Sequence, residues 1–216
     1  MSALDELLRE RVVFVGSVLG PLYLNDPKLD ADKATPLLEA FAGLDEHAAD
    51  EWPFGGDEAA PYLDEMRQAA AMSFAGDRDA LMWEYRRLFV GPGGMPVPPW
   101  GSVYTDRECV VFGASTLALR QWMRERGIER LGTEADPEDH IGYLLLLMAW
   151  IAEHQPEFLR EFMEQHLLTW SAHFLKQLEE AAEHPFYRGL AGLTRVSLDG
   201  IGEAIGAQVV FPRYYR

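Results

Sequence analysis

Apolar residues recur along this chain at intervals of three and four, the spacing of one helix face rather than the alternation of a strand. Leu4, Leu7, Leu8, Val12, Val15 and Leu19 outline a first helix that Gly20-Pro21 is expected to stop. Thr35-Pro36 reads as an N-cap followed by proline at the first helical position of a short helix through Phe41, with Gly43 at its end. A Gly- and Pro-containing loop with Trp52 and Phe54 follows, then a helical stretch carrying Tyr62, Leu63, Met66 and Ala70. Asp77 is the expected cap of the next helix, which carries Leu81, Tyr85 and Leu88 to Val90. A helix from about Ser115 to Arg126 ends at Gly127, a suitable C′ residue. Asp136-Pro137 opens another, in which Asp139 can reach back as an acidic capping-box partner. Pro156 opens a helix with Phe158, Phe162, Leu167, Trp170, Phe174 and Leu178. The last starts at Pro185, and its internal glycines mean either weaker helix or close packing. Between Gly91 and Ser102 the chain reads GPGGMPVPPWGS, too rich in Gly and Pro for regular structure. The expected fold is all-α, a single-domain bundle over residues 1–216 with about eight or nine helices and one long Pro/Gly-rich loop.

Charge narrows the function. Nineteen Lys and Arg against thirty-five Asp and Glu leave a net charge of −16. Such a surface repels nucleic acid and anionic lipid and attracts a basic partner. With 48% hydrophobic residues there is ample material for a core. Cys109 is the sole cysteine, which rules out an internal disulfide or a thiolate zinc cage and suits a reducing compartment. Residues Met1 to Arg11 carry charges of both signs, unlike a secretory leader. The longest apolar run, Ile141 to Ala152, is too short to cross a bilayer. The expectation is a cytoplasmic protein with no stable membrane insertion.

Two segments carry candidate chemistry. In the first, Tyr85, Leu88 and Phe89 lead into the loop that ends Pro99-Trp100-Gly101-Ser102-Val103-Tyr104. Proline stiffens such a loop, and aromatic rings held on it form a wall for an apolar peptide. The same residues suit an Ω-type loop packed on its own aromatics with no ligand. In the second, Asp136, Glu138 and Asp139 are expected in the first turn of a helix beside His140. Acidic residues favour that position for the free N–H groups and the dipole alone. They could also receive guanidinium groups, or Asp139 and His140 could act as an acid–base pair. Capping gives no reason for His140.

Taken together, in this order on a helical chain, Tyr85, Leu88-Phe89, Gly91-Pro92, Pro98-Pro99-Trp100-Gly101-Ser102-Val103-Tyr104 and Asp136-Pro137-x-Asp139-His140 resemble the TorD/DmsD/NarJ family of redox-enzyme maturation chaperones. The likeness is greatest to its dimethyl sulfoxide reductase-type branch. The resemblance implies a cytoplasmic protein, not an enzyme, that binds the twin-arginine (Tat) signal peptide of a molybdopterin-containing oxidoreductase. It would hold that subunit from export until its cofactor is inserted. It also implies that Leu88, Phe89, Pro99, Trp100, Ser102, Tyr104, Asp139 and His140 lie at or near the peptide site. Joined with the reading of the two segments, the expected signal-peptide site is Tyr85, Leu88, Phe89, Pro99, Trp100, Gly101, Ser102, Val103, Tyr104, Asp136, Glu138, Asp139 and His140. Partners would be the signal peptide, the catalytic subunit and components of the Tat translocase, with the chain as monomer or dimer. No cofactor, metal or catalytic residue is implied.

Competing signals are weak. His166 and His173 lie seven residues apart, about 10 Å along a helix, too far for one metal without further ligands. Gly200, Gly202 and Gly206 follow no strand and precede no P-loop lysine. Ser102, Ser115 and His140 form no recognisable nucleophile–base motif. Two alternatives stand: a helical enzyme using Asp139 and His140 as an acid–base pair, and an assembly chaperone of the nitrate reductase type.

Overall fold

The structure is a computed structural model, and it describes residues 5–91, 94–129 and 137–216. It is all-α. The helices are α1 (Glu6–Leu24), α2 (Ala31–Ala42), α3 (Ala48–Glu51), α4 (Ala60–Met72), α5 (Arg78–Phe89), α6 (Ser102–Thr105), α7 (Ala114–Glu125), α8 (Ile141–His154), α9 (Leu159–Phe162), α10 (Ser171–Ala181) and α11 (Pro185–Ala204). Among the described residues no strand forms beyond a single bridge between Trp100 and His140. No described helix is long and apolar enough to cross a membrane.

The chain divides into two compact units, neither a continuous stretch of sequence. Unit one holds Met1–Gly20, Pro99–Ala172 and Gly202–Arg216; unit two holds Pro21–Pro98 and His173–Ile201.

In unit one, α8 is the buried element: Ile141, Leu144, Leu145, Leu147, Met148 and Ile151 all point into the core. The first helix packs on it through Gly16, where an added Cβ would stand 2.3 Å from the Leu145 carbonyl oxygen and 2.9 Å from the Ala149 Cβ. Gly20 does the same against the Gly142 carbonyl. These glycines are therefore contact points, and the first helix runs on past Gly20 with Pro21 inside it. Trp122 of α7 packs against Phe158 and Phe162. Arg126 covers the Trp122 ring at 4.2 Å and pairs with Glu161 at 2.8 Å. As its sequence signals, α7 closes on Gly127 in the left-handed region, with the Ile128 amide donating to the Met123 carbonyl.

Unit two is built on α2 to α5 with most of α10, from His173, and of α11, up to Ile201. Its core holds Leu38, Leu63, Met66, Leu81, Leu88, Phe174, Leu178, Phe186 and Leu190. The glycines of α11 mark close packing: a Cβ at Gly189 would meet the Tyr62 carbonyl oxygen at 2.8 Å. Tyr23 shares a 2.9 Å hydrogen bond with Thr194, and Tyr85 donates to the Tyr23 carbonyl at 3.0 Å.

Local signals misplaced several boundaries. Helix α2 begins at Ala31 rather than after Thr35, so Pro36 lies inside it, like Pro21 in α1. Asp77 stands at the N-cap of α5, but its side chain makes no capping bond. The aromatic helix from Pro156 is interrupted: a 3-10 turn, α9 and a π-turn (Met163–Leu167) precede α10. Helix α8 begins at Ile141, so Glu138 and Asp139 lie in the turn before it rather than in its first turn.

Replacing glycine by alanine inside an exposed helix normally stabilises it by about 0.5–1 kcal/mol. At Gly16 the new methyl group meets backbone that cannot swing aside, so Gly16→Ala is expected to reverse that sign and cost roughly 1–3 kcal/mol. Urea unfolding of the two proteins checks this, and a Gly16→Ala variant as stable as the native chain would refute the contact.

Candidate functional site

The end of the proline-rich loop, from Pro99, and the turn before α8, from Glu138, meet in unit one. His140 has extended backbone (φ −68°, ψ 133°), and Trp100 faces it across the antiparallel bridge. The Gly101 amide donates to the Asp139 carbonyl at 3.1 Å, and the Ile141 amide donates to the Pro99 carbonyl at 2.9 Å. Paired residues flanked by such bonds bring their side chains close. The Trp100 and His140 rings accordingly sit edge to face, 5.6 Å apart, and the Tyr143 ring meets His140 at 5.8 Å.

Asp139 locks the junction. Its Oδ2 accepts the Ser102 amide at 2.7 Å, satisfying one of the donors that open α6. Asp139 is only 4% exposed, and burial pushes its carboxyl above the ordinary 3.8. The Ser102 amide and the hydroxyls of Ser102 and Thr116 oppose that shift. Asp139 is not a capping-box partner, as its side chain bonds to α6 and not to the helix that follows it.

His140 is the cap. Its Nδ1 accepts the Gly142 amide at 3.1 Å, while its carbonyl accepts from Leu144. The ring was the feature that capping seemed not to need, and it supplies the capping acceptor itself. With Nδ1 an acceptor, the neutral ring carries its proton on Nε2.

Glu138 is buried and takes the Arg120 Nε at 2.6 Å. The expected cluster of displayed carboxylates is thus corrected: Glu138 already holds an arginine of α7, Asp139 is turned inward, and Asp136 lies outside the described residues. The loop aromatics are corrected likewise. Ser102, Val103 and Tyr104 are buried, and Tyr104 stacks on Trp170 at 5.8 Å. Burial holds the Tyr104 hydroxyl well above the usual phenol range. Pro99 and Gly101 are buried too, leaving Trp100 half-exposed, with its indole N–H buried and unbonded. Gly101 is required where it stands, because a Cβ there would lie 2.7 Å from the Trp170 Nε1.

Tyr85, Leu88 and Phe89 belong to unit two and lie inside its core. Tyr85 and Phe89 pack edge to face at 5.2 Å within a cluster that includes Tyr23 and Tyr187. They support the helix rather than display a wall.

The comparisons with known proteins bear on these segments directly. The family model for the nitrate reductase delta subunit matches residues 31–176. This chain belongs to that family. Both site segments fall inside the matched region. The chain is 41% identical over 193 residues to the Tat proofreading chaperone DmsD of Salmonella typhimurium, covering 89% of each protein. It is 35% identical to the probable Tat proofreading chaperone DmsD of Haemophilus influenzae, over 96% of this chain and 98% of the relative. It is 30% identical to the chaperone protein YcdY of Escherichia coli, over 87% and 92%.

Two neighbours of the site escaped sequence reading. His166 lines a cavity of about 280 Å3 together with Gly101, Ser115, Asp139 and Trp170. Burial lowers its pKa to about 4, with Glu161 raising it and Arg126 lowering it further. The final residues also return to the site: the Tyr214 hydroxyl donates to the Thr169 carbonyl at 2.8 Å, and the Tyr215 amide to the Tyr104 carbonyl at 2.9 Å. Helical spacing pointed to no site at His166, and the tail has no periodicity at all.

Because the Asp139 pKa is raised, the folded chain holds more protons than the unfolded chain between 3.8 and the raised value. Its contribution to stability therefore falls as pH rises through that window. Asp139→Asn keeps an acceptor for the Ser102 amide without the buried charge. It is expected to melt at or above the native temperature at pH 7, with the difference vanishing as pH approaches 3.8. Thermal melts across that range decide it; a deficit that grows as pH rises above 3.8 would mean the hydrogen bonds to the charged form outweigh its burial.

Proposed function

We propose that this chain is a cytoplasmic maturation chaperone that binds the twin-arginine signal peptide of a molybdopterin-containing oxidoreductase subunit. It holds that subunit from export until its cofactor is inserted. The observation that carries the reading is the joined pair Trp100 and His140, set within a chain 41% identical to a Tat proofreading chaperone over 89% of its length. The half-exposed indole offers an apolar face to an extended peptide. The His140 Nδ1 already accepts the Gly142 amide, so that nitrogen is not an acceptor for guanidinium groups. The client subunit and components of the Tat translocase are the partners that follow, and the net charge of −16 draws a basic signal toward the protein.

The geometry speaks against the acid–base alternative. A general-base histidine is usually oriented by a carboxylate at its second nitrogen, but here Nδ1 takes a backbone amide and the Asp139 Oδ2 is directed at Ser102.

Calorimetry with a peptide carrying two adjacent arginines before an apolar stretch is expected to give a dissociation constant near 1 μM, about −8 kcal/mol. A Lys-Lys peptide should bind at least about tenfold more weakly, since lysine lacks the bidentate fork. Trp100→Leu should weaken binding by a similar factor at unchanged helicity. His140→Asn, which keeps a side-chain acceptor for the Gly142 amide, separates binding from capping: it should bind more weakly while melting near the native temperature. Equal affinity for the two peptides would sink the guanidinium reading.

A further inference from the structure

The cavity beside Asp139 has a chemistry that the peptide reading does not by itself require. It lies wholly within unit one and measures about 280 Å3. That is just under the roughly 300 Å3 at which sites for drug-sized ligands begin, so it has room for one side chain and not for a folded segment. Its walls are apolar at Ala118, Leu119 and Trp170 and polar at Thr105, Ser115 and Thr169. Among the described residues no Lys or Arg lines it, so nothing there would compensate an anion. A metal is equally unsupported, as no group of three candidate ligands occurs among the described residues.

What the cavity does offer is acceptors. Asp139 lines it, is almost fully buried, and keeps its Oδ1 without a hydrogen bond. The buried Ser102 and Thr116 hydroxyls stand against its carboxylate and favour its charged form. Across the same space the buried Nε2 of His166 also has no partner. A pKa near 4 keeps that imidazole neutral in the cell, so it adds no competing positive charge. Arg126 and Glu161, the charges acting on His166, are bonded to each other at 2.8 Å and largely cancel. Buried acceptors left unsatisfied are costly, and a donor-rich planar cation relieves several at once. Guanidinium fits better than ammonium: it is flat, weakly hydrated, and packs against an indole such as that of Trp170.

We propose that this cavity, walled by Gly101, Ser115, Ala118, Asp139, His166 and Trp170, takes the guanidinium of one arginine of the bound signal and leaves the other at the surface. The assignment rests on the signal-peptide reading above and makes the two arginines unequal. His166 and Ala118 become specificity-determining positions, although neither belongs to the Trp100–His140 pair.

The test uses the full chain and two readouts. Ala118 is exposed on α7, so Ala118→Trp can plug the cavity mouth without repacking the core. Peptides with Lys-Arg and Arg-Lys in place of Arg-Arg are titrated into both proteins. One single-lysine peptide should bind the native chain at least about tenfold more weakly than the other, and that ratio should fall below about twofold in Ala118→Trp. Separately, ethylguanidinium should shift the NMR signals of the His166 ring in the native chain and not in Ala118→Trp, while butylammonium should leave them in place. Equal losses for the two single-lysine peptides, with His166 silent to ethylguanidinium, would overturn the proposal even if Arg-Arg still outbinds Lys-Lys. Conversely, a His166 response with no preference for Arg-Arg over Lys-Lys would keep the cavity's chemistry and discard the signal-peptide reading.

Discussion

The Asp139 carboxylate receiving the Ser102 amide at 2.7 Å is the interaction on which unit one's site depends. Remove it and the first turn of α6 loses an acceptor, a carboxylate is buried without that bond, and the bridge between Trp100 and His140 loses its anchor. Two backbone bonds reinforce it in opposite senses, from the Gly101 amide to the Asp139 carbonyl and from the Ile141 amide to the Pro99 carbonyl. Each ties the proline-rich loop to the turn before α8 through backbone rather than long side chains. Proline supplies carbonyl acceptors but no amide, so loop and turn can meet with few donors left over.

A junction built this way is rigid, which suits the reversible peptide binding proposed for it. Ordering a loop on binding would cost free energy at every residue fixed. Here Ser102, Val103 and Tyr104 are already packed, and Tyr104 is held between Trp170 and the returning Tyr215 amide. Trp100 alone remains half-exposed on the loop's last turn.

Much of this was legible in the sequence, and the reasons for the rest are specific. Helical periodicity located the long helices, and Gly127 ended α7 where a left-handed C′ residue is needed. Proline misled because a helix tolerates it when packing outweighs one lost hydrogen bond, as at Pro21 beside the contact glycines of α1 and again at Pro36. The acidic run before α8 misled for another reason: spacing shows which residues are charged, not what they pair with. Glu138 is paired with Arg120, eighteen positions earlier, and Asp139 with an amide thirty-seven positions away. His140 shows the same limit. Its role as a cap is repeated by His184, whose Nδ1 accepts the Phe186 amide at the start of α11. No propensity scale favours histidine there, so only the coordinates reveal that this chain caps two helices with imidazole. His166 was visible only as one half of an implausible metal pair, because a cavity between loop and helices has no signature along the chain.

The charge distribution then separates two jobs that the sequence had merged. The net charge of −16 belongs to the exposed surface as a whole and acts over the Debye length of about 8 Å at physiological salt. It raises the encounter rate with any basic segment and cannot tell arginine from lysine. Discrimination has to come from groups withdrawn from water, where geometry and unsatisfied acceptors decide the outcome. Asp139 and His166 are such groups, one turned inward by the Ser102 amide and the other kept neutral by burial. On the proposed function, an acidic exterior that attracts indiscriminately and a small interior set of acceptors that does not would divide the finding of a basic signal from its recognition.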